Sequence, residues 1–457
     1  PLAGQPAFIT RADPLRHPLI FYFGHTAAFF VNKLVLAKLL PARINPGFES
    51  AFAIGVDEMS WDDLNDAHYD WPHFSDVADY RNPVRAAVNE LIARLPLQLP
   101  IGWDSPFWPI VMGIEHERVH LETSSVLIRQ LPLELVEPSP LWPVCAVDHA
   151  APQNEWLDVP AGKVVLGKSQ PSALYGWDNE YGRHEADVTA FQAAKYLVSN
   201  REYLEFVEDG GYAKQDYWTD EGWNWVNYEK AAFPRFWQKD ESGHYQLRCM
   251  LETIDMPWSW PVETNQLEAK AFCNWKAAKT GQPVRLPTED EWNRLRGHAG
   301  RGAAPDWRRA PGNLNPERAA ASEPVDTHEF GQGFFDILGN VWQHTETPIY
   351  GFAGFQVHPL YDDFSTPTFD LRHNLIKGGS WVSTGNELTR DSRYGFRRHF
   401  YQHAGFPYIA SAAPNAPAGQ KPPPRAGTAA APPAPATLQP GDEVVTEPPA
   451  QKIVNKK

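Results

Sequence analysis

Apolar residues recur at three- and four-residue intervals in three stretches near the start of the chain, and this is the period of an amphipathic helix. The pattern predicts helices over residues 18–40, 82–95 and 109–131. Pro41 and Pro132 follow the first and the third stretch, where proline would end a helix. Three helices joined by loops predict a small antiparallel bundle over residues 1–135.

The pattern changes after a proline-rich segment at residues 136–152, which we interpret as a linker. Residues 153–409 contain short apolar runs separated by turns rich in glycine, tryptophan and asparagine, with helices predicted only near 200–208 and 266–279. These features predict an α+β fold with a large irregular fraction. Residues 410–457 are rich in proline and alanine and are expected to form a disordered tail.

Composition narrows the classes of function. The chain has 457 residues with 41 Lys+Arg and 56 Asp+Glu, a net charge of −15, which disfavours nucleic acid or an anionic membrane as a partner. Its 18 tryptophans suit an irregular fold held together by large aromatic side chains. Three cysteines distant in sequence (Cys145, Cys249 and Cys273) form no disulfide framework, and no apolar run suggests a membrane span. We therefore expect a cytoplasmic protein.

The strongest chemical signal is a pair of histidines, His116 and His120, on the third predicted helix. Four-residue spacing places both imidazoles on one helix face, where they can share a metal ion. In a zinc peptidase, Glu117 between them would be the general base and a further ligand would come from downstream. The sequence after His120 lacks the glycine and third histidine of the metzincin pattern.

A third ligand can also come from upstream. His25 lies on the inward face of the first predicted helix, next to Gly24, whose helix-propensity cost of about 1 kcal/mol suggests that something packs closely there. A set of three histidines without a carboxylate suits a redox metal with open positions for substrate and dioxygen. Imidazole binds iron, copper and zinc alike, so these residues alone leave the metal open.

Several stretches resemble known families. Residues 16–26, 55–63 and 115–125 resemble the ovothiol-pathway sulfoxide synthases (5-histidylcysteine sulfoxide synthases), which are related to the ergothioneine-pathway sulfoxide synthases. The first region is similar to DinB-like helical bundles. Residues 198–203, 285–292, 339–342 and 377–381 resemble the formylglycine-generating enzymes, or sulfatase-modifying factors, which have a C-type-lectin-like fold.

The resemblance implies a chemistry. His25, His116 and His120 would hold one non-haem Fe(II), and the enzyme would use O2 to join the sulfur of L-cysteine to an imidazole carbon of L-histidine, with oxidation of the sulfur to a sulfoxide. Glu117 would then be a structural residue. Open metal positions can accept a cysteine thiolate, an imidazole and O2.

The resemblance also implies a tyrosine near the iron and cations for the substrate carboxylates. Tyr361 is the best candidate for the catalytic tyrosine. Its rivals are Tyr350, Tyr394 and Tyr401. The candidate substrate-binding residues, from a basic run in an otherwise acidic chain, are Arg393, Arg397 and Arg398.

Two departures from the related families affect the substrate. The ergothioneine branch typically carries glutamines between its paired histidines, whereas Arg118 and Val119 stand here, which favours free histidine over its trimethylated form. Many ovothiol synthases continue into a methyltransferase, which this chain does not show, so a separate methyltransferase would act later. The alternatives left open are an ergothioneine-type synthase, a thiol dioxygenase, a zinc metallopeptidase and a lectin-like binding module.

Overall fold

The N-terminal part of the protein is helical, as predicted. The computed structural model describes residues 2–53, 70–300 and 311–411, all of which belong to one compact unit. The first five helices are α1 (Gln5–Ile9), α2 (Leu19–Leu36), α3 (Pro46–Ala51), α4 (Phe74–Arg94) and α5 (Trp108–Gln130). Helices α2, α4 and α5 correspond to the three predicted ones. The motif at residues 55–63 and the predicted tail beyond Ser411 lie outside the described residues.

Two predicted helix boundaries are wrong. Helix α2 ends at Leu36 rather than at residue 40. Helix α4 begins at Phe74 rather than at residue 82, and Pro83 lies inside it. A proline inside a helix costs about 3 kcal/mol, but a buried apolar face, Val77, Tyr80, Val84 and Leu91, runs straight past it. Burial of this face offsets the lost hydrogen bond.

Helix α2 is the central element of the bundle and packs against both α4 and α5. By length and composition it could cross a membrane, but 72% of its 18 residues are buried inside the protein, as in a core helix. On α5, Gly113 makes room for the ring of Phe30, where a β-carbon would overlap it. This close approach brings together the helix faces that carry the candidate ligands.

The second part, from residue 153, is built of short strands in several small sheets. The strands are β1 (Trp156–Val159), β2 (Gly162–Leu166), β3 (His184–Val188), β4 (Phe191–Ala194), β5 (Trp237–Lys239), β6 (Tyr245–Arg248), β7 (Thr253–Asp255), β8 (Val284–Arg285), β9 (Glu329–Gly331), β10 (Phe334–Phe335), β11 (Trp342–Pro348), β12 (His373–Lys377), β13 (Tyr394–Arg397), β14 (Ala404–Gly405) and β15 (Ile409–Ser411). A four-stranded sheet has the order β1-β4-β15-β8, and a second has the order β13-β12-β11-β14, in which β11 and β14 are parallel. Strands β5-β6-β7 form a three-stranded sheet, and β2-β3 and β9-β10 form ribbons.

This part contains four described helices rather than the two predicted ones. Helices α6 (Asn200–Glu208) and α8 (Gln266–Thr280) were predicted, and α7 (Asp220–Glu229) and α9 (Glu289–His298) were not. Both missed helices carry a threonine N-cap, and α9 has a full capping box, so the start signals were present in the sequence. The α+β class is confirmed, and the largest fully buried side chains include Trp260, Trp275, Trp292 and Trp381.

The predicted linker packs against the second part of the protein. The carbonyl of Val147 accepts a hydrogen bond from Trp260 Nε1 at 3.0 Å, and the carbonyl of Pro143 accepts one from the Ala320 amide at 2.8 Å. The chain therefore crosses from the bundle to the second part along a fixed path.

Candidate metal centre

Three buried histidines converge between α2 and α5. The Nε2 atom of His116 lies 3.3 Å from Nε2 of His25 and 3.0 Å from Nε2 of His120. One ligand atom from each residue lies within 4.8 Å of the others. The side chains are 7%, 2% and 5% exposed for His25, His116 and His120. The structure thus brings together the three predicted metal ligands.

The orientation of His25 is fixed by a hydrogen bond between its ring and a backbone carbonyl. Its Nδ1 atom lies 2.6 Å from the carbonyl oxygen of Phe52, the residue that follows α3. Because a carbonyl only accepts hydrogen bonds, Nδ1 carries the proton and Nε2 presents its lone pair to the cluster. Gly24 makes this contact possible, since a β-carbon there would lie 2.5 Å from the Phe52 ring. The close approach expected at Gly24 is therefore made by Phe52.

His116 is held in its neutral form. Burial lowers its pKa well below the ordinary value, and His120, His25 and Lys33 lower it further. Its ring stacks on Phe29 with centroids 3.6 Å apart and planes 10° apart. A neutral imidazole is the form that binds a metal ion. Three buried imidazole nitrogens fit a divalent transition metal with positions left for other ligands.

Glu117 does not belong to the cluster. Its carboxylate pairs with Arg81 of α4 at 3.1 Å, and its side chain is 43% exposed. In the described part of the chain, the metal-type cluster consists of the three histidines alone, with no carboxylate. A zinc peptidase needs Glu117 to face the metal-bound water, so this geometry disfavours that alternative.

Of the four candidate tyrosines, Tyr361 lies closest to the histidines. Its ring centroid is 6.0 Å from that of His116 and 5.0 Å from that of Phe29. Tyr394 accepts a hydrogen bond from Trp177 Nε1 at 2.8 Å. Tyr350 packs beside Arg393, and Tyr401 packs on Phe236 in the core of the second part.

A further tyrosine beside the cluster was missed by the sequence reasoning. Tyr22 of α2 is 2% exposed, and its ring centroid is 5.6 Å from that of His120. It stands three residues before His25, so helical spacing alone would have placed both on neighbouring positions of one face.

Two of the three candidate arginines are occupied within the second part. Arg393 is 1% exposed and donates to both carboxylate oxygens of Glu289 and to the carbonyls of Asn179 and Tyr350. Arg398 donates to Glu221 at 2.6 Å and also to Asn374 and Leu371. Arg397 is the last residue of β13 and lies near Asp370. Burial would raise the pKa of Asp370, but its hydrogen bond with His373 and, to a smaller extent, the charge of Arg397 lower it. These contacts give Arg393 and Arg398 structural roles.

Helix α5 has a second functional face that the sequence reasoning did not single out. Four polar residues at helical spacing contact the second part of the protein, while the histidines face α2. They are Glu115, Glu122, Ser125 and Arg129. Glu122 accepts hydrogen bonds from Ser383 Oγ at 2.9 Å, from Ser380 Oγ at 3.2 Å and from Trp342 Nε1. A buried polar row on an apolar helix is the signal that could have revealed this docking face.

The docking face ends in a buried ion pair. Arg129 Nη1 lies 2.6 Å from Glu263 Oε2, and the two side chains are 3% and 5% exposed. Burial alone would raise the pKa of Glu263, but the Arg129 guanidinium and the hydrogen bond with His403 lower it to about 2. His403 Nε2 in turn lies 2.8 Å from Ser125 Oγ. This network fixes the C-terminal half of α5 to the second part.

Comparisons with known families agree with this architecture. Residues 5–124 match the DinB superfamily, and residues 145–409 match the sulfatase-modifying factor enzyme 1-like domain. The predicted order, a DinB-like helical bundle followed by a C-type-lectin-like domain, is therefore confirmed.

Similar proteins align over most of this chain. A hercynine oxygenase of Mycolicibacterium thermoresistibile is 31% identical over 403 residues, covering 82% of this chain and 83% of that protein. A hercynine oxygenase of Mycolicibacterium smegmatis is 29% identical, covering 67% and 71%. Ergothioneine biosynthesis protein 1 of Neurospora crassa is 22% identical, covering 88% of this chain and 54% of that protein.

Proposed function

The chain belongs to the hercynine oxygenase family, and from that premise we propose that it is an Fe(II)- and O2-dependent sulfoxide synthase. Its substrates would be L-cysteine and L-histidine, and its product 5-histidylcysteine sulfoxide. The reaction forms one C–S bond and oxidises the sulfur once. Each change removes two electrons, and O2 accepts all four, so the substrates need no added reductant.

One observation supports this function most strongly. Three buried imidazoles converge without a carboxylate, and a tyrosine of the second part, Tyr361, lies near one of them. His25, His116 and His120 would hold the iron, which when bound would activate O2 and accept a thiolate. A set of three neutral ligands leaves room for the negative charge of a cysteine sulfur.

The side chains around the cluster have definite tasks in this proposal. Phe52 holds His25 through its carbonyl, and Phe29 covers one face of the His116 ring. The ring centroid of Tyr361 lies 6.0 Å from that of His116, and in this proposal its hydroxyl acts as the proton donor. A positioned donor of this kind contributes about 10²- to 10⁴-fold to a rate.

The choice of L-histidine rather than hercynine as the substrate rests on the residues between His116 and His120. Arg118 turns towards Glu115, with 2.5 Å between Nη1 and Oε1, and Val119 packs in an aromatic cluster. Neither supplies an amide oxygen for a trimethylated amine. Hercynine, the Nα-trimethylated histidine, is the second candidate, because the similar oxygenases of two Mycolicibacterium species carry its name.

A product assay tests the proposal. Fe(II)-loaded protein is mixed anaerobically with L-cysteine and either L-histidine or hercynine, O2 is added, and products are identified by mass spectrometry. We expect a product with the summed mass of cysteine and histidine, less two hydrogens and plus one oxygen. Coupling with hercynine alone would move the assignment to the ergothioneine type. Cysteine sulfinate as the only product in both mixtures would make the protein a thiol dioxygenase.

The cellular setting forms part of the same proposal. All three cysteines are free, and Cys249 and Cys273 are buried. Burial raises the pKa of the Cys249 thiol to about 12, which keeps it protonated and unreactive. Free thiols suit a reducing cytoplasm. A methyltransferase would act on the product later.

A further inference from the structure

A lysine stands beside the histidine cluster. Lys33 lies on α2 at four-residue steps from Phe29 and His25, so the three side chains share one helix face. Its Nζ atom is 4.2 Å from the ring centroid of Tyr361 and 5.2 Å from that of Phe29. Both rings contact His116, so the ammonium group is one aromatic ring away from a metal ligand.

Among the residues that the structure describes, no carboxylate lies at contact distance from the ammonium group of Lys33. The side chain is half-buried. Asp363 and Asp362 act on it only from farther away, and burial lowers its pKa. A cation that is partly removed from water without a paired anion is costly. Such a group is stabilised when a ligand brings a negative charge.

Amino-acid substrates bring that charge. Arg393 and Arg398, two of the cations expected to bind substrate carboxylates, are engaged by Glu289 and Glu221. Lys33, in contrast, contacts the rings of Phe29 and Tyr361, which also contact His116 of the cluster. We propose that Lys33 Nζ binds the α-carboxylate of an amino-acid substrate whose side chain points towards the three histidines. This inference rests on the proposed function for the identity of its ligands, cysteine and histidine.

The arrangement explains why the lysine is flanked by rings. Phe29 and Tyr361 form an apolar wall between Nζ and His116. In this proposal the carbon chain of the amino acid lies along this wall, with its carboxylate at the lysine and its thiol or imidazole at the cluster. A charge-assisted contact is stronger at a half-buried lysine than at one on the surface.

Ligands with and without a carboxylate test the contact directly. Binding of L-cysteine, cysteamine, L-histidine and histamine to the anaerobic Fe(II) protein is measured by calorimetry for the wild type, Lys33→Met and Lys33→Arg. We expect Lys33→Met to weaken one of the two amino acids by about 10- to 100-fold, the range for one charged hydrogen bond. Its decarboxylated analogue should bind equally well to wild type and variant. Lys33→Arg should restore most of the affinity.

The control is Lys163→Met, which removes a lysine that is 57% exposed and pairs with Glu185 on the ribbon β2-β3. It should leave all four affinities unchanged. The proposal is overturned if Lys33→Met weakens the binding of an amino acid and of its analogue equally, or weakens the binding of neither. If Lys33→Met fails to fold, equal affinity of the wild type for each amino acid and its analogue overturns the proposal.

These binding results do not depend on product formation. A wild-type protein that forms only cysteine sulfinate would contradict the proposed synthase, while the carboxylate dependence at Lys33 would still be measured. The pairing of cysteine with cysteamine and of histidine with histamine shows which substrate the lysine holds.

Discussion

At the scale of single residues, the candidate centre depends on what stands behind and beside each imidazole. His25 is directed by the carbonyl of Phe52, and His116 is covered by Phe29. The spacing of His116 and His120 could be identified in the sequence. The participation of His25, 91 residues before His116, rested on a predicted bundle and on resemblance. The structure supplies the missing distance.

Removal of His25 tests the ligand set. His25→Ala should reduce bound iron from about one per chain to near zero, because two imidazoles seldom retain a labile divalent metal. Metal content after dialysis is measured by mass spectrometry. The control His244→Ala removes a histidine that is 82% exposed. Full iron content in His25→Ala would exclude it as a ligand.

Removal of one hydroxyl tests the tyrosine. Tyr361→Phe should lower the rate of coupled product by about 10²-fold or more, as expected for a lost proton donor, while cysteine sulfinate still forms. Tyr22→Phe is the matched control, because Tyr22 lies beside His120 in the same pocket. The ratio of the two products is measured by mass spectrometry. An unchanged ratio in Tyr361→Phe, or an equal change in Tyr22→Phe, would remove the role from Tyr361.

At the scale of elements, helices α2 and α5 each serve two purposes. Helix α2 packs in the core of the bundle and carries His25, and α5 presents histidines on one side and a docking row on the other. Hydrophobic periodicity predicted both helices because it reflects only neighbours along the chain. It missed α7 and α9 because their start signals lie at caps rather than in an apolar stripe.

The approach of α2 to Phe52 can be tested at Gly24. Gly24→Ala places a methyl group 2.5 Å from the Phe52 ring, and the resulting overpacking should cost about 1–3 kcal/mol of unfolding free energy. The displaced carbonyl of Phe52 should also weaken iron binding. Denaturant unfolding and metal titration measure the two effects. Gly297→Ala on α9, which meets open space, should be neutral or stabilising; an equally mild Gly24→Ala would contradict the close contact.

At the scale of the whole molecule, the two regions are joined along the docking face of α5. The pair Arg129–Glu263 is buried on both sides, and Glu122 is held by Ser380, Ser383 and Trp342. Buried charges are stable only when paired. The second region therefore fixes α5, and with it the position of His116 and His120.

The buried pair predicts a loss of stability in acid. The pKa of Glu263 is about 2 in the folded protein against an ordinary value of 4.5 in the unfolded chain, so its contribution to stability is complete above 4.5 and is lost as pH falls from there to about 2. Glu263→Gln should cost about 3–5 kcal/mol at neutral pH by leaving Arg129 unpaired. Arg129→Met combined with Glu263→Gln should recover much of this. Unfolding curves at several pH values measure both effects, and a Glu263→Gln protein with unchanged acid sensitivity would contradict the assignment.

The sequence by itself determined the local features of this protein. Helical periodicity placed α2, α4 and α5, four-residue spacing placed His116 and His120 on one face, and motif resemblance indicated the two-part architecture. All of these are properties of residues close together in the chain. Only the tertiary structure decided that Tyr361 lies near His116, that Arg393 is paired with Glu289, and that Lys33 lies over the ring of Tyr361. Those outcomes depend on packing between segments hundreds of residues apart, where burial and charge pairing select the partners.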